Sequence, residues 1–114
     1  MALWRLHYHL VWATWKREPL LTAGRREKAY GAILGKARDL QVIVHAIGGT
    51  ENHIHLVVSI PPRLAVANVV SQLKGRSSHY ATDEHGASRD FQWQEGYGAL
   101  TFGDRSMPDI VAYV

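Results

Sequence analysis

The feature that most constrains the fold is a pair of short apolar segments separated by a glycine turn. The segment "QVIVHAIGGT" is rich in β-branched residues and stops at Gly48-Gly49, and "HIHLVVSI" begins almost at once at His53. β-branched side chains favour strands, and a glycine pair marks a turn. The sequence therefore predicts an antiparallel β-hairpin in the middle of the chain.

The segments on either side of this hairpin show strand and helix periodicities. Apolar and polar residues alternate from Leu3 to Trp15, which predicts a half-buried strand. Thr22 is a candidate N-cap for a helix that extends to about Leu40, and a second helical segment follows Pro61-Pro62. The predicted buried positions are Leu6, Tyr8, Leu10 and Trp12 in the strand, Ala29, Ile33, Leu34 and Ala37 in the first helix, and Leu64, Val66, Ala67, Val70 and Leu73 in the second.

The remaining segments complete an alternating order of elements. Residues from Asp83 to about Gln94 are polar with few apolar anchors, which predicts a surface loop, and "GYGALTF" predicts a short strand. Ser106 is a candidate N-cap for a third helix with Pro108 in its first turn. The order β-α-β-β-α-β plus a helix predicts a ferredoxin-like or RRM-like α+β fold, with an antiparallel sheet and helices on one face. The other face is then free for a ligand.

Length and composition limit the classes of function. The chain has 114 residues, of which 46% are hydrophobic and 20% charged, as expected for one globular domain over 1–114. The net charge of +3 indicates a mild attraction to polyanions. The absence of cysteine excludes disulfides and thiolate metal sites and is typical of a cytoplasmic protein. We expect neither a signal peptide nor a membrane span, which needs roughly 20 apolar residues.

His53 and His55 are the candidate metal ligands. They are two residues apart on a predicted strand, so both imidazoles leave the same face. Neutral imidazoles bind divalent metals, and two of them leave positions for substrate oxygens. An isolated His-x-His motif is also compatible with polar residues on a solvated strand face. The other histidines, His7, His9, His45, His79 and His85, have no spacing that singles one out, although His45 and Asn52 lie near the pair in a hairpin.

Tyr113, in the segment "MPDIVAYV", is the candidate nucleophile. If this segment is a helix with Ile110 and Val111 toward the core, Tyr113 could project toward the sheet. A phenol with a pKa of about 10 is a poor nucleophile and needs a cation or a base to attack phosphorus. A metal on the two histidines could polarise the phosphate. The alternative is an ordinary core or surface aromatic.

The segment "SQLKGRSSHYA" is the candidate contact to a nucleic-acid backbone, because it combines two cations, two hydroxyls and a glycine. A solvated helix end would have the same composition. Tryptophan side chains can stack on unpaired bases, although core packing is their commoner role. The candidate DNA-binding residues are Lys74, Arg76, Ser77, Ser78 and Trp93, with Trp12 and Trp15 as further stacking candidates.

Together these segments resemble the single-tyrosine transposases of small bacterial insertion sequences, the IS200-like family, including REP-associated relatives that act on repetitive palindromic elements. Each segment is weak evidence alone, and their order and spacing make the resemblance specific. The matching segments are "YHLVWATWKRE", "GGTENHIHLVVSIPP", "VANVVSQLKGRSSHYA", "WQEGYGALTF" and "IVAYV".

The resemblance implies DNA transposition through single-strand nicking and transfer. In that family the motif matched by His53-Ile54-His55 holds Mg²⁺ or Mn²⁺ on the scissile phosphate of single-stranded DNA. The tyrosine matched by Tyr113 attacks that phosphate, keeps the 5′ end as a phosphotyrosine and releases a 3′-OH. Family members form homodimers and recognise DNA hairpins. The alternatives are a non-catalytic hairpin or single-strand binding module derived from such a transposase, and a small structural or regulatory protein in which the histidines bind adventitious metal.

The sequence departs from the family at its end. The family usually carries a further metal ligand, often glutamine, about one helical turn beyond the tyrosine. The sequence stops at Val114, before that position. Either the C-terminal helix is truncated or the metal site takes its third ligand from another group. Nicking by this chain depends on which of the two holds, and a helix this short is expected to fray.

Overall fold

The chain folds into an antiparallel sheet with two helices packed on one face. The structure is a computed structural model that describes residues 4–82 and 91–114. Within these residues four strands form one sheet in the order β2-β3-β1-β4. This confirms the predicted fold class. The elements are β1 (His7–Ala13), α1 (Ala23–Asp39), β2 (Ile43–Gly49), β3 (His53–Ser59), α2 (Val66–Ala81), β4 (Gly98–Phe102) and α3 (Met107–Tyr113), with short 3-10 turns at Trp15–Arg17 and Asp104–Ser106.

The two faces of the sheet follow the predicted alternation. In β1, Leu10 and Trp12 are buried in the main core, as predicted. In β3, Ile54, Leu56 and Val58 point to the same core. The intervening residues of both strands therefore lie on the opposite face, which we call the open face. β1 pairs antiparallel with both β3 and β4, so the side chains of these three strands share that face.

Helices α1 and α2 cover the other face. The Thr22 hydroxyl accepts a hydrogen bond from the backbone N–H of Arg25, which confirms the predicted cap. Three predicted core positions are wrong: Leu6 before β1, Leu34 of α1 and Ala67 of α2 are exposed. In α1 the buried side chains recur every four residues, and Leu34 lies one residue beyond this stripe. They are Ala29, Ile33 and Ala37 in α1, and Val69, Val70, Leu73, Ser77 and Ala81 in α2.

Helix α3 lies across the open face, which is therefore only partly free for a ligand. Val57 of β3 is 0% exposed although it lies outside the main core cluster, so something covers it on the open face. The half-buried residues of α3 and its C-cap recur at helical spacing, as for a helix with one packed side. They are Met107, Ile110, Val111 and Val114. A Cβ built on Gly48 of β2 would lie 2.6 Å from the carbonyl oxygen of Val114, so the helix end rests directly on the sheet.

The start of α3 is joined to the sheet by polar contacts. Asp104 accepts a hydrogen bond from Arg5 at 2.5 Å, and its other oxygen lies 2.5 Å from Nε2 of His7. The Ser59 hydroxyl lies between two imidazoles, 2.7 Å from Nδ1 of His7 and 2.6 Å from Nε2 of His45. Ser106, the predicted N-cap, has helical backbone angles (φ −85°, ψ −11°), so this turn enters α3 without the extended cap conformation. Pro108 lies in the first turn, as predicted.

The predicted loop from Asp83 to Gln94 is only partly within the described residues, because 83–90 lie outside them. Its last part is not a surface loop. Phe91 and Trp93 are buried in the main core, and Trp93 forms a β-bridge with Thr14. The backbone of this segment pairs with the end of β1, since Gln94 N donates to the Ala13 carbonyl at 2.8 Å. Phe91 and Trp93 fix this segment to the core, although its overall polar composition predicts a surface loop.

No helix within 4–82 and 91–114 is long and apolar enough to cross a membrane.

Candidate active site

His53 and His55 lie side by side on the open face, as their spacing predicts. Their ring centroids are 4.8 Å apart, and both side chains are half-buried. Nδ1 of His53 lies 2.8 Å from Oδ1 of Asn52 and 2.9 Å from the hydroxyl of Thr50. An Nδ1–H that donates to the Asn52 oxygen leaves Nε2 unprotonated, which is the form that binds a metal. The hairpin turn therefore sets the tautomer of His53.

His9 of β1 supports His55 in the same way. Nε2 of His9 lies 2.9 Å from Nδ1 of His55, so one ring donates and the other accepts. Burial lowers the pKa of His55, and the neighbouring His53 and His9 lower this pKa further. Burial also lowers the pKa of His9. Both rings are thus favoured in the neutral form, and with Nδ1 of His55 as the donor to His9, Nε2 of His55 is free to bind a metal.

Sequence reasoning did not single out His9. Its position on the open face follows from the alternation in β1. Its contact with His55 depends on the pairing register, in which Val11 lies opposite His55 and His9 opposite Val57. A local sequence pattern does not encode that register.

Helix α3 brings Tyr113 to the same place. The Tyr113 ring centroid is 5.9 Å from that of His55 and 6.2 Å from that of His9. The side chain is 74% exposed, so solvent and a large substrate can reach it. The two predicted metal ligands and the predicted nucleophile are thus neighbours, although they come from separate parts of the chain.

These residues line a cleft of about 660 Å³. One wall is the open face of the sheet, and another is the turn that follows β1. The remaining wall is the segment between Trp93 and β4. The lining residues are Val11, Trp12, Ala13, Lys16, Arg17, His53, His55, Gln94, Glu95, Gly96, Tyr97, Gly98 and Tyr113.

The donor set of the cleft fits an open metal site with two imidazole ligands. Within the described ranges there is no group of three or more His, Cys, Asp or Glu side chains placed to hold a metal ion. Two nitrogen ligands leave most positions of a six-coordinate ion to water or substrate oxygens. Imidazole is a better ligand for Mn²⁺ than for Mg²⁺, which prefers oxygen. The residues present therefore fit Mn²⁺ more closely than Mg²⁺.

Three of the side chains predicted to contact DNA are buried. Trp93 is 7% exposed, and its indole N–H donates to the buried Ser77 hydroxyl at 3.0 Å. The Ser77 hydroxyl donates in turn to the Leu73 carbonyl at 2.6 Å. Trp12 is also buried and meets the Trp93 ring edge to face at 5.9 Å. Ser77, Trp93 and Trp12 were expected to reach DNA, but all three side chains are buried in this structure.

The other predicted contacts on α2 do not surround the histidine pair. Arg76 lies in a separate groove between α1 and α2, on the far side of the sheet, and Ser78 is outside the cleft lining. Lys74 contributes indirectly, because its ammonium donates to the carbonyls of Gln94 at 2.7 Å and Gly96 at 3.0 Å. Burial lowers the pKa of Lys74, and the charge of Glu95 opposes that effect. Lys74 thus fixes one wall of the cleft.

Comparison with solved structures supports the fold. A crystal structure of a transposase candidate from Deinococcus radiodurans R1 aligns with a TM-score of 0.77 at 22% identity, covering 98% of this chain and 90% of that chain. The structure of a REP-associated tyrosine transposase bound to a REP hairpin aligns with a TM-score of 0.72 at 16% identity, covering 100% of this chain and 70% of that chain. At these identities the likeness shows the arrangement of elements.

Sequence comparison identifies the family. The family model for "Transposase IS200 like" matches residues 2–114. The transposases for insertion sequence element IS200 of Salmonella typhimurium and of Salmonella typhi are each 31% identical over 107 residues. The match covers 88% of this chain and 69% of each relative. These matches confirm the resemblance seen in the sequence, and the chain belongs to the IS200-like transposase family.

Proposed function

We propose that this protein cleaves and rejoins single-stranded DNA in transposition through a covalent link to Tyr113. The observation that carries the proposal is the meeting of the exposed Tyr113 with the His53-His55 pair in one open cleft, with ring centroids of Tyr113 and His55 5.9 Å apart. Cleavage of a phosphodiester needs a nucleophile, which the phenol supplies, and a metal ion, for which the two neutral imidazoles supply ligands.

His53 and His55 would hold Mg²⁺ or Mn²⁺ through their Nε2 atoms. The bound ion would polarise the non-bridging oxygens of the scissile phosphate. Asn52 and His9 lie within 2.9 Å of the Nδ1 atoms of His53 and His55, so an Nδ1–H on each imidazole would donate to them and leave Nε2 for the ion. This arrangement is ready before DNA binds, so the imidazoles need not reorient during the reaction.

Tyr113 performs the covalent step. Its hydroxyl oxygen attacks the phosphorus and loses its proton to solvent, which reaches this 74% exposed side chain. The bond from phosphorus to the 3′ oxygen breaks, and that oxygen takes a proton and leaves as a 3′-OH. The 5′ end stays on Tyr113 as a phosphodiester. Attack by a 3′-OH on this linkage reverses the step, so rejoining requires no external energy source.

The DNA proposed as substrate is a single strand that carries a hairpin. A protein with the same fold, the REP-associated tyrosine transposase, is bound to a REP hairpin in its structure. The basic character of this chain, with a net charge of +3, favours the same class of ligand. We also propose a homodimer, as the family resemblance implies, which light scattering would test directly.

The test of this function is the formation of a covalent adduct. A hairpin with a single-stranded tail, labelled at its 3′ end, is incubated with the protein and Mn²⁺ and separated on a denaturing gel. We expect a labelled protein band that disappears with chelator and in Tyr113→Phe. Tyr97→Phe is the matched control, because Tyr97 is an exposed tyrosine that lines the same cleft. An adduct that persists in Tyr113→Phe would exclude Tyr113 as the nucleophile.

The alternative is a DNA-binding module without chemistry. It is favoured by the presence of two imidazole ligands and no third titratable ligand within the described ranges. This alternative would be supported if the protein binds the hairpin without metal and forms no covalent adduct with any divalent metal ion added.

A further inference from the structure

Two consecutive basic residues adopt a backbone conformation that ordinarily favours glycine. Lys16 has a φ of 51° and Arg17 a φ of 54°, in the short turn that follows β1. Side chains with a Cβ rarely adopt this left-handed region, and two such residues in succession are rarer still. Strained backbone of this kind concentrates at functional sites.

The turn is held in place by its neighbours. The N–H of Lys16 donates to Oε1 of Gln94 at 2.9 Å, and the N–H of Arg17 donates to the Thr14 carbonyl at 3.0 Å. The fully buried Thr14 donates its hydroxyl to the Glu18 carbonyl at 2.5 Å. The conformation is therefore fixed by hydrogen bonds from both sides, which present the two side chains in a defined direction.

Both side chains face the cleft that contains Tyr113. Lys16 and Arg17 are exposed and line this cleft. Within the part of the chain that the structure describes, neither forms an ion pair. Glu95 also lines the cleft, and its charge acts on Lys74. Among the described residues, no carboxylate thus competes with a phosphate for either cation.

Exposed aromatic rings accompany these cations. Trp15 is exposed, and the Lys16 ammonium lies 5.6 Å from its ring centroid. Tyr97, on another wall of the cleft, is exposed as well. Cations beside exposed aromatic rings are typical of surfaces that bind single-stranded nucleic acid, where phosphates meet the cations and bases stack on the rings.

We propose that the Lys16-Arg17 turn is a phosphate-binding subsite that holds the single-stranded DNA next to the bond attacked by Tyr113. This inference rests on the proposed function for the identity of the strand. In this proposal the Lys16-Arg17 turn, and not α2, supplies the main cationic contact to DNA in the cleft. On α2, Ser77 is buried and Arg76 faces the far groove.

The test uses a substitution that removes charge and keeps the backbone conformation. In Lys16→Gly/Arg17→Gly both positions can remain left-handed without strain, so the variant should fold and melt at a higher temperature than the parent. Binding of a hairpin with a single-stranded tail is followed by fluorescence anisotropy between 50 and 300 mM salt with chelator present. Loss of two phosphate contacts should weaken binding roughly tenfold at low salt. The salt slope, which is the slope of the logarithm of the binding constant against the logarithm of the salt concentration, should fall in magnitude by about 1.4.

A charge-matched control separates a local contact from net charge. Lys28→Ala/Arg38→Ala removes two exposed cations from α1, on the far face, and should leave the slope unchanged. If the glycine variant is more stable but binds with the parental slope, or if the control variant loses as much, the subsite is refuted. Lys16→Asn/Arg17→Asn provides a second uncharged variant, because asparagine also tolerates the left-handed region. A parent protein without affinity for the tailed hairpin at 50 mM salt would refute the subsite as well.

The outcomes distinguish this inference from the proposed function. Binding is measured without metal and without chemistry, so it does not depend on Tyr113. A glycine variant that binds with the parental slope and forms the adduct at the parental rate would refute the subsite and leave the function intact. A reduced slope in a protein that never forms an adduct would support the subsite and refute the nicking reaction.

Discussion

Substitution of Gly48 by alanine tests whether the contact between α3 and the sheet places Tyr113. A Cβ at Gly48 would lie 2.6 Å from the carbonyl oxygen of Val114 and 3.4 Å from its Cγ1. Carbon and oxygen atoms in contact are at least about 3.3 Å apart, so the two must separate by about 0.7 Å. β2 is paired along its length with β3, whereas α3 has seven residues. We therefore expect the end of α3 to move.

The expected effect is on rate. Tyr113 directly precedes Val114, so it moves with the displaced carbonyl. A displacement of about 1 Å in a reacting group can reduce a rate by roughly 100-fold. We expect Gly48→Ala to form the covalent adduct about 10 to 100 times more slowly than the parent. The melting temperature should change little, because the main core lies on the other face of the sheet.

The assay is single-turnover adduct formation with protein in excess, together with thermal melting and hairpin binding. The matched control is Gly75→Ala in α2, where the described atoms leave the space within 4 Å of a new Cβ empty. This control should raise the free energy of unfolding by about 0.5 to 1 kcal/mol and leave the rate unchanged. The reasoning fails if Gly48→Ala reacts at the parental rate, or if it loses rate only in proportion to a loss of folded protein.

Three further changes test the core and the polar contacts of the open face. Trp93→Phe removes the indole donor to Ser77 and should lower the free energy of unfolding by roughly 1 to 3 kcal/mol, measured by urea denaturation. Hairpin affinity per folded molecule should stay the same, and weaker binding at unchanged stability would instead indicate base stacking. The hydrogen bond from His7 holds the pKa of Asp104 below its ordinary value, so this contact stabilises the fold above about pH 4 and is lost as the pH falls through the lower folded pKa. Asp104→Asn should therefore be less stable than the parent at pH 6 and approach it toward pH 2, whereas a constant difference would contradict this linkage. Burial, with a contribution from His7, lowers the pKa of His45 in the folded protein. Neutral His45 therefore contributes to stability above about pH 6.5, and this contribution is lost as the pH falls through the lower folded pKa. His45→Gln should have a smaller loss of stability between pH 7.5 and 5, and an unchanged loss would assign it to other groups.

The parts of this structure that the sequence predicts are those with a local physical signal. The same-face placement of His53 and His55 follows from a period of two, and the start of α1 follows from the Thr22 cap. The burial of Trp93 depends on its hydrogen bond to Ser77, a residue that the local sequence pattern does not distinguish from a surface serine. The left-handed turn at Lys16 contains no glycine, so the sequence gives no signal that predicts it.

The position of α3 could not be predicted for a related reason. Its apolar spacing indicates that one side packs, but both faces of the sheet offer apolar partners. The choice depends on small details far away in sequence, such as the missing side chain at Gly48, which allows the close approach of Val114. Long-range fit of this kind leaves little trace in the segment itself.

The proposed nucleophile lies on α3, a helix that contributes no residue to the main core. The seven residues Met107–Tyr113 alone are too few for a stable helix in water, so the sheet beneath them supports their helical shape. Detaching it would cost far less than opening the main core, and amide protons of α3 should therefore exchange with deuterium before those of α1. If Tyr113 carries a DNA strand as proposed, α3 and the attached strand could leave the sheet while the rest of the molecule stays folded.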